Sequence, residues 1–292
     1  MTLQPSHYTH NLGSNKADPL PGPFGATAMS QHKGYALITG ASSGIGAVYA
    51  DRLARAGYDL ILVARNQQRL EQLATRLKAN TQRDVQVIAA DLNLPADLAR
   101  IARIAHEDSR ISLLVNNAGV GATASLLESD ADKMDAMILL NVLALTRLAK
   151  AAATNFVAQG RGTIINIGSI VALAPKVLNG VYGGTKAFVQ AFSESLQHEL
   201  SDKGVVVQVV LPGATATEFW DIAGLPVNNL PEAMVMTTEN LVDAALAGLA
   251  QGEAVTIPSL PDSADWDTYE SARLALGPNL SHREPAARYG LK

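Results

Sequence analysis

From Gly34 onward the chain alternates short runs rich in Val, Ile and Leu with segments whose apolar residues recur at helical spacing, as in Leu70, Leu73 and Leu77. Continuous apolar strands separated by amphipathic helices are typical of βαβ units, in which helices cover both faces of a parallel sheet. The pattern therefore predicts an α/β fold with a doubly wound parallel sheet. The predicted strands are residues 35–39, 59–64, 85–90, 111–115, 163–167, 205–211 and 254–257.

The same alternation divides the 292-residue chain into three parts. Residues 1–33 are rich in proline and lack apolar periodicity, which predicts a flexible N-terminal extension. Residues 34–260 carry the alternating pattern and are predicted to form one domain. Residues 261–292 are predicted to add a C-terminal helix, over residues 265–276, and an irregular strap to that domain.

Composition limits the chemistry and the partners. The 23 basic and 27 acidic residues give a net charge of −4, so nothing favours binding to nucleic acid. The lack of cysteine excludes thiolate metal sites and cysteine nucleophiles, and it suits a cytoplasmic location. No apolar run approaches the roughly 18 residues needed to span a membrane, and the N-terminus lacks a secretory signal pattern, so no membrane segment is expected.

Polar or turn-forming residues follow the predicted strands at their carboxyl ends. In open parallel sheets this edge forms the ligand crevice, so we predict the functional site there. These residues are Gly40, Arg65, Asp91, Asn116, Ser169 and Pro212.

The loop after the first strand reads TGASSGIG, from Thr39 to Gly46, and leads into a predicted helix. Its glycines allow a tight turn and bring the helix N-terminus close to a phosphate group. A P-loop would need Lys after Gly46, where Ala47 stands. A hydrolase elbow around Ser42 would need a histidine at a strand end, and the three later histidines lie in predicted helices or the tail. The loop therefore favours a dinucleotide site.

The second strand ends at Ala64 and Arg65, which would lie at the adenosine end of that site. An NAD enzyme would place Asp or Glu here, on the ribose 2′-hydroxyl. Arg65 can instead form charge-assisted hydrogen bonds to a 2′-phosphate and stack on adenine. NADP(H) is therefore the preferred cofactor, with NAD(H) still possible. Asp91 could accept from the adenine amino group or cap the following turn.

Tyr182 and Lys186 are four residues apart, which places both side chains on one helix face. A neighbouring ammonium stabilises phenolate and lowers the pKa of tyrosine, so Tyr182 could serve as a general acid or base. Ser169, at the end of the preceding strand, could orient a carbonyl group or simply cap a turn. Asn141 lies in a predicted apolar helix, and burial there requires a hydrogen-bond partner.

In this order and at this spacing, the motifs resemble those of the classical short-chain dehydrogenase/reductase family, over residues 34 to about 258. The resemblance implies one Rossmann-like domain with seven parallel strands, and hydride transfer between a carbonyl compound and its alcohol. Ser43 departs from the basic residue that many NADP-type members carry. The motifs are TGASSGIG (39–46), Asp91-Leu92, NNAG (116–119), Asn141, Ser169, YGGTK (182–186) and PGATAT (212–217).

The resemblance also implies a role for each residue. Tyr182 would exchange a proton with the substrate oxygen, and Ser169 would hydrogen-bond that oxygen. Lys186 would hold the nicotinamide ribose and lower the Tyr182 pKa, while Asn141 would anchor a water in a proton relay. No metal is expected. Tyr182 and Lys186 would also contact the cofactor, as would Gly40, Ser42, Ser43, Gly44, Ile45, Gly46, Arg65, Asp91, Leu92, Asn117, Ala118, Gly119, Pro212, Gly213, Thr215 and Thr217.

The segment 218–239 is expected to set substrate specificity. Its aromatic, aliphatic and methionine side chains suit an apolar carbonyl compound, although they could equally pack the segment onto the body. The resemblance further implies a homodimer or homotetramer, formed through the helices that contain Asn141 and Tyr182. A catalytically silent, dinucleotide-binding regulator is the alternative from a different functional class.

Overall fold

The computed structural model describes residues 32–291. Its seven parallel strands form one sheet in the order β3-β2-β1-β4-β5-β6-β7, which confirms the predicted doubly wound fold. The strand order reverses between β1 and β4, which is where such sheets open a ligand crevice. The strands are β1 (Tyr35–Thr39), β2 (Asp59–Ala64), β3 (Val85–Ala89), β4 (Ile111–Asn116), β5 (Gly162–Ile167), β6 (Val205–Val210) and β7 (Val255–Thr256).

Helices cover both faces of the sheet. Leucine and alanine side chains of α1, α2 and α8 pack with one face, and those of α3, α5 and α6 pack with the other, so the sheet is buried in two apolar layers. Helices in the described part of the chain are α1 (Gly44–Arg55), α2 (Gln67–Thr81), α3 (Pro95–Glu107), α4 (Ala131–Ile138), α5 (Leu145–Gln159), α6 (Gly180–Leu200), α7 (Phe219–Ala223), α8 (Thr238–Gln251) and α9 (Ser263–Leu274).

The strands begin and end within two residues of their predicted limits. The main difference from the sequence-based expectation lies in the helix around Asn141. Residues Leu139–Ala144 form a π-helical turn that joins α4 to α5, so the helix is widened where an uninterrupted α-helix was predicted. Widened turns of this kind are frequent at functional sites.

The continuous helix Ala131–Gln159 is longer and more apolar than the sequence patterns indicated. An 18-residue window in it has a mean hydropathy of 1.5, so by length and composition it could cross a membrane. The sequence reasoning missed it because it looked for uninterrupted apolar runs, and polar residues interrupt this helix. In the fold, 44% of that window is buried, and Leu148, Ala152 and Phe156 belong to the layer that covers the sheet.

The described C-terminal segment lies outside this core. Of the predicted N-terminal extension, all but His32 and Lys33 falls outside the described residues. At the other end, α9 begins two residues before the predicted helix and has no buried residue. An ion pair of 3.0 Å between Arg273 and Glu194 links α9 to α6. The division of the chain into domains stays a prediction.

Candidate active site

A cavity of about 740 Å³ opens at the carboxyl ends of the strands, at the edge that the sequence predicted. This volume lies within the usual range for ligand sites. Two predicted site residues, Gly46 and Asn141, do not line the cavity. The predicted residues that line it are Gly40, Ser42, Ser43, Gly44, Ile45, Arg65, Asp91, Leu92, Asn117, Ala118, Gly119, Ser169, Tyr182, Lys186, Pro212, Gly213, Thr215 and Thr217.

The glycine loop is held open against the end of β4. Gly40 and Gly44 have φ angles of 64° and 53°, which favour glycine. Asn117 Nδ2 donates to the carbonyl oxygens of Thr39 (3.0 Å) and Gly40 (3.1 Å). A Cβ on Gly46 would overlap Gly40 O and lie 2.6 Å from Asn117 Nδ2, so this position admits only glycine without a shift.

The first turn of α1 is free to bind an anion. Its N-cap residue, Ser43, makes no side-chain hydrogen bond to the helix, and no acidic residue lies in the first turn. The N–H groups at this helix end therefore lack a side-chain cap, and the helix dipole favours negative charge there. This arrangement fits the pyrophosphate of a dinucleotide.

The adenosine end of the cavity carries two arginines. Arg65 is exposed on the cavity wall, as expected for a residue that meets a 2′-phosphate. Arg69, in the first turn of α2, pairs with Glu218 at 2.7 Å, and both residues line the cavity. Asp91 lines the cavity and also accepts from the backbone N–H of Asn93 at 3.0 Å, so it does cap the turn.

Tyr182 and Lys186 lie side by side in the buried part of the cavity. Lys186 Nζ is 5.8 Å from the centre of the Tyr182 ring and donates to the carbonyl oxygen of Ile167 at 2.9 Å. Asn179 caps α6 by accepting from the N–H groups of Val181 and Tyr182, at 2.9 and 3.1 Å. The side chain of Asn179 thereby fixes the helix turn that carries Tyr182.

Burial controls the ionisation of this pair. It raises the pKa of Tyr182 to about 12, and a hydrogen bond with Ser169 acts in the opposite direction. It also lowers the pKa of Lys186 to about 8. The sequence led us to expect a lowered Tyr182 pKa, but in the described chain desolvation outweighs the hydrogen bond with Ser169, and the net effect raises the pKa. Tyr182 is therefore a protonated phenol at neutral pH.

Ser169 and Asn141 lie on either side of this pair. Ser169 Oγ accepts from Val171 N at 3.3 Å and lies 3.5 Å from Pro212 O. Asn141, predicted to need a hydrogen-bond partner, makes three hydrogen bonds to two residues. Its amide donates to Val120 O (2.8 Å) and Thr185 Oγ1 (3.1 Å), and its oxygen accepts from Val120 N (3.0 Å). Asn141 thus ties the widened turn to α6 and to the loop after β4.

The other end of the cavity is apolar. The rings of Phe219 and Tyr182 lie 5.7 Å apart at 46°, and Trp220 meets Phe219 edge-on. Trp220 is buried and donates through Nε1 to Thr215 O at 2.9 Å, which anchors α7. Part of the predicted segment thus lines the site. Further apolar lining comes from Val120, Leu140, Ile170, Val171, Val177, Leu178, Ile222, Leu225, Leu230 and Met234.

Sequence reasoning missed Asn179, Thr185 and Arg69. An N-cap asparagine before the YGGTK motif was a readable signal for Asn179, because Asn is a preferred cap. Arg65 lies before α2, so its spacing from Arg69 is not helical, and nothing local to Arg69 indicated its pairing with Glu218. Nothing local to Thr185 indicated its contact with Asn141.

Comparison with known proteins agrees with this geometry. The family model for short chain dehydrogenases matches residues 34–223. The chain therefore belongs to the short-chain dehydrogenase/reductase family and is an oxidoreductase that interconverts alcohols and carbonyl compounds. A curated relative, the 17-beta-hydroxysteroid dehydrogenase type 3 of Danio rerio, is 30% identical over 80% of this chain and 75% of its own.

Two solved structures are more similar. A short-chain dehydrogenase from Sphingobium yanoikuyae, in complex with NADPH, is 49% identical, with 87% of this chain and 98% of that chain covered and a TM-score of 0.84. A bulky-bulky ketone specific alcohol dehydrogenase from Comamonas testosteroni is 44% identical, with 89% and 99% covered and a TM-score of 0.82.

Proposed function

We propose that this chain catalyses the NADP(H)-dependent reduction of bulky, apolar ketones to alcohols, and the reverse reaction. The observation that carries the proposal is the composition of one cavity. A helix N-terminus and Arg65 supply its anion-binding end, aromatic and aliphatic side chains supply its other end, and Tyr182 lies in its wall. The specificity of the Comamonas relative for bulky-bulky ketones supports this substrate class.

The nicotinamide cofactor, when bound, supplies the hydride for reduction or accepts it in oxidation. Tyr182 gives its hydroxyl proton to the carbonyl oxygen, and its pKa of about 12 keeps that proton available throughout the neutral range. Ser169, which hydrogen-bonds the phenol, is placed to hold the same oxygen. Lys186, as an ammonium below about pH 8, stabilises the phenolate that remains.

Turnover is tested by following NADPH oxidation with ketones, aldehydes and quinones. We expect reduction of apolar ketones, and Tyr182→Phe should lower kcat by about 10²- to 10⁴-fold while dinucleotide binding persists. Tyr289→Phe, in the exposed C-terminal segment, is the matched control. Binding of NADPH without turnover of any carbonyl compound would instead favour the silent regulator.

The preference for NADP(H) rests on Arg65 and on the NADPH complexes of the Sphingobium relative and of L-sorbose reductase from Gluconobacter frateurii. We expect wild-type kcat/KM to be higher for NADPH than for NADH. Arg65→Ala should remove most of that difference, mainly by raising the KM for NADPH. Arg76→Ala, an exposed arginine on the following helix α2, is the control. Equal use of both cofactors by the wild type would contradict the proposal.

We also propose that the chain assembles as a homodimer or homotetramer. Leu139, Leu143 and Phe188 are about 40% exposed on the two helical segments that carry Asn141 and Tyr182, and Phe188 stacks on Phe192. Light scattering should give a mass above that of one chain, and Phe188→Glu should reduce it. A monomer at micromolar concentration would contradict this assignment.

A further inference from the structure

Phe219 lies against a glycine that leaves no room for a side chain. A Cβ built on Gly121 would lie 2.8 Å from Phe219 Cε2 and 3.1 Å from Cε1, and closer still to Cζ. Gly121 is not among the glycines with positive φ, so its backbone conformation is open to alanine. The need for glycine at position 121 therefore comes from the Phe219 ring.

The two segments that meet here are tied together. Thr123 donates to Ala223 O through both its backbone N–H (3.2 Å) and its Oγ1 (2.7 Å), so the loop after β4 runs alongside α7. Phe219 lines the cavity whereas Gly121 does not, so the ring separates the glycine from the substrate space. The Phe219 ring also lies beside the rings of Tyr182 and Trp220, each with its centroid 5.7 Å away.

From this geometry we infer that Phe219, seated on Gly121, sets the size limit for a substituent on the reacting carbonyl carbon. Under the proposed function, on which this inference rests, the substrate oxygen meets the Tyr182 hydroxyl. The two substituents of the carbonyl carbon then lie beside Tyr182, and the neighbouring Phe219 ring borders the space for one of them. The ring occupies the volume that a Cβ at position 121 would fill. Glycine at position 121 therefore keeps the ring out of the space for the substrate substituent.

The effect of Gly121→Ala follows from van der Waals distances. Carbon atoms in contact prefer about 3.5–4.0 Å, so the ring must move by about 1 Å to clear the new methyl group. The two hydrogen bonds from Thr123 to Ala223 O resist movement of α7 as a whole. The Phe219 ring is therefore expected to move into the cavity instead. A misplacement of about 1 Å near the reacting atoms can cost about 10²-fold in rate.

The test uses phenyl ketones whose second substituent grows from methyl to butyl to phenyl, with NADPH as reductant. Gly121→Ala should lower kcat/KM at least tenfold for the bulkiest ketone and less than threefold for the methyl ketone. Phe219→Ala should widen the accepted range. In the Phe219→Ala background, Gly121→Ala should have no further effect on the size profile, because no ring is left to displace.

Gly180→Ala is the matched control, because a Cβ there meets nothing within 4 Å and the φ angle is not positive. NADPH binding, measured by fluorescence, should be the same in all variants and shows that they are folded. An equal loss on all ketones in Gly121→Ala, or a size-dependent loss that persists without the Phe219 ring, would overturn the inference. Failure of the wild type to reduce any ketone would instead refute the proposed function.

Discussion

Replacing Lys186 with methionine should make the protein more stable at neutral pH and inactive. Burial lowers the pKa of Lys186 from 10.5 to about 8. At about 1.36 kcal/mol per pKa unit, the native state holds this ammonium at a cost of about 3 kcal/mol. The methionine variant loses the hydrogen bond to Ile167 O, and this loss offsets about 1 kcal/mol of the stability gained by removing the ammonium. We therefore expect a net gain of about 2 kcal/mol at neutral pH.

The gain should depend on pH in a defined direction. Between about pH 8 and 10.5 the lysine is deprotonated in the native state and protonated in the unfolded state. The unfolded state then binds more protons, so wild-type stability rises with pH in this window. By about pH 9.5 the cost of the ammonium falls by about 2 kcal/mol, and the advantage of the variant over the wild type should nearly vanish.

Urea unfolding at about pH 7 and about pH 9.5, at one protein concentration, measures the stability gain of the variant at neutral pH and the change in that gain with pH. The difference between variant and wild type isolates Lys186, since Tyr49 and Tyr182, whose pKa values burial raises, are present in both. A difference that stays the same at both pH values, or a variant that is less stable at neutral pH, would refute the reasoning.

The glycine loop, the widened helix turn and the catalytic lysine each give another expected result. Gly46→Ala should lower stability by about 1–3 kcal/mol and weaken NADPH binding, because its Cβ overlaps Gly40 O, and unchanged binding would contradict this. Asn141→Ala should cost about 2 kcal/mol in urea unfolding, because it leaves the part-buried N–H and C=O of Val120 without their side-chain partner, and a neutral result would contradict that role. The kcat/KM for reduction should fall as pH rises above about 8, where Lys186 loses its charge while Tyr182 stays protonated. A profile that is flat to about pH 10 would contradict this assignment.

Much of the fold and of the site could be read from the sequence because the relevant signals are local. Each strand is a short apolar run, and each is followed within a few residues by a turn or polar residue. In a parallel sheet all carboxyl ends meet at one edge, so Arg65, Ser169 and Pro212 had to lie near one another once the alternation was recognised. The four-residue spacing of Tyr182 and Lys186 likewise fixed their common helix face.

What the sequence could not show depends on contacts between distant segments. The pairing of Arg69 with Glu218, 149 residues later, and the fit of Phe219 against Gly121 required the chain to be folded. The π-helical turn at Asn141 likewise needed its partners Val120 and Thr185 in place.

The sequence by itself determined the kind of chemistry: a phenol, an ammonium, a hydroxyl and an amide arranged around a dinucleotide loop. Only the tertiary structure decided how those groups ionise. The spacing of Tyr182 and Lys186 predicted a lowered phenol pKa, whereas burial raises that of Tyr182 to about 12 and lowers that of Lys186 to about 8. The physical reason is that charge–charge attraction can be read from spacing, but desolvation depends on every segment that excludes water from the site.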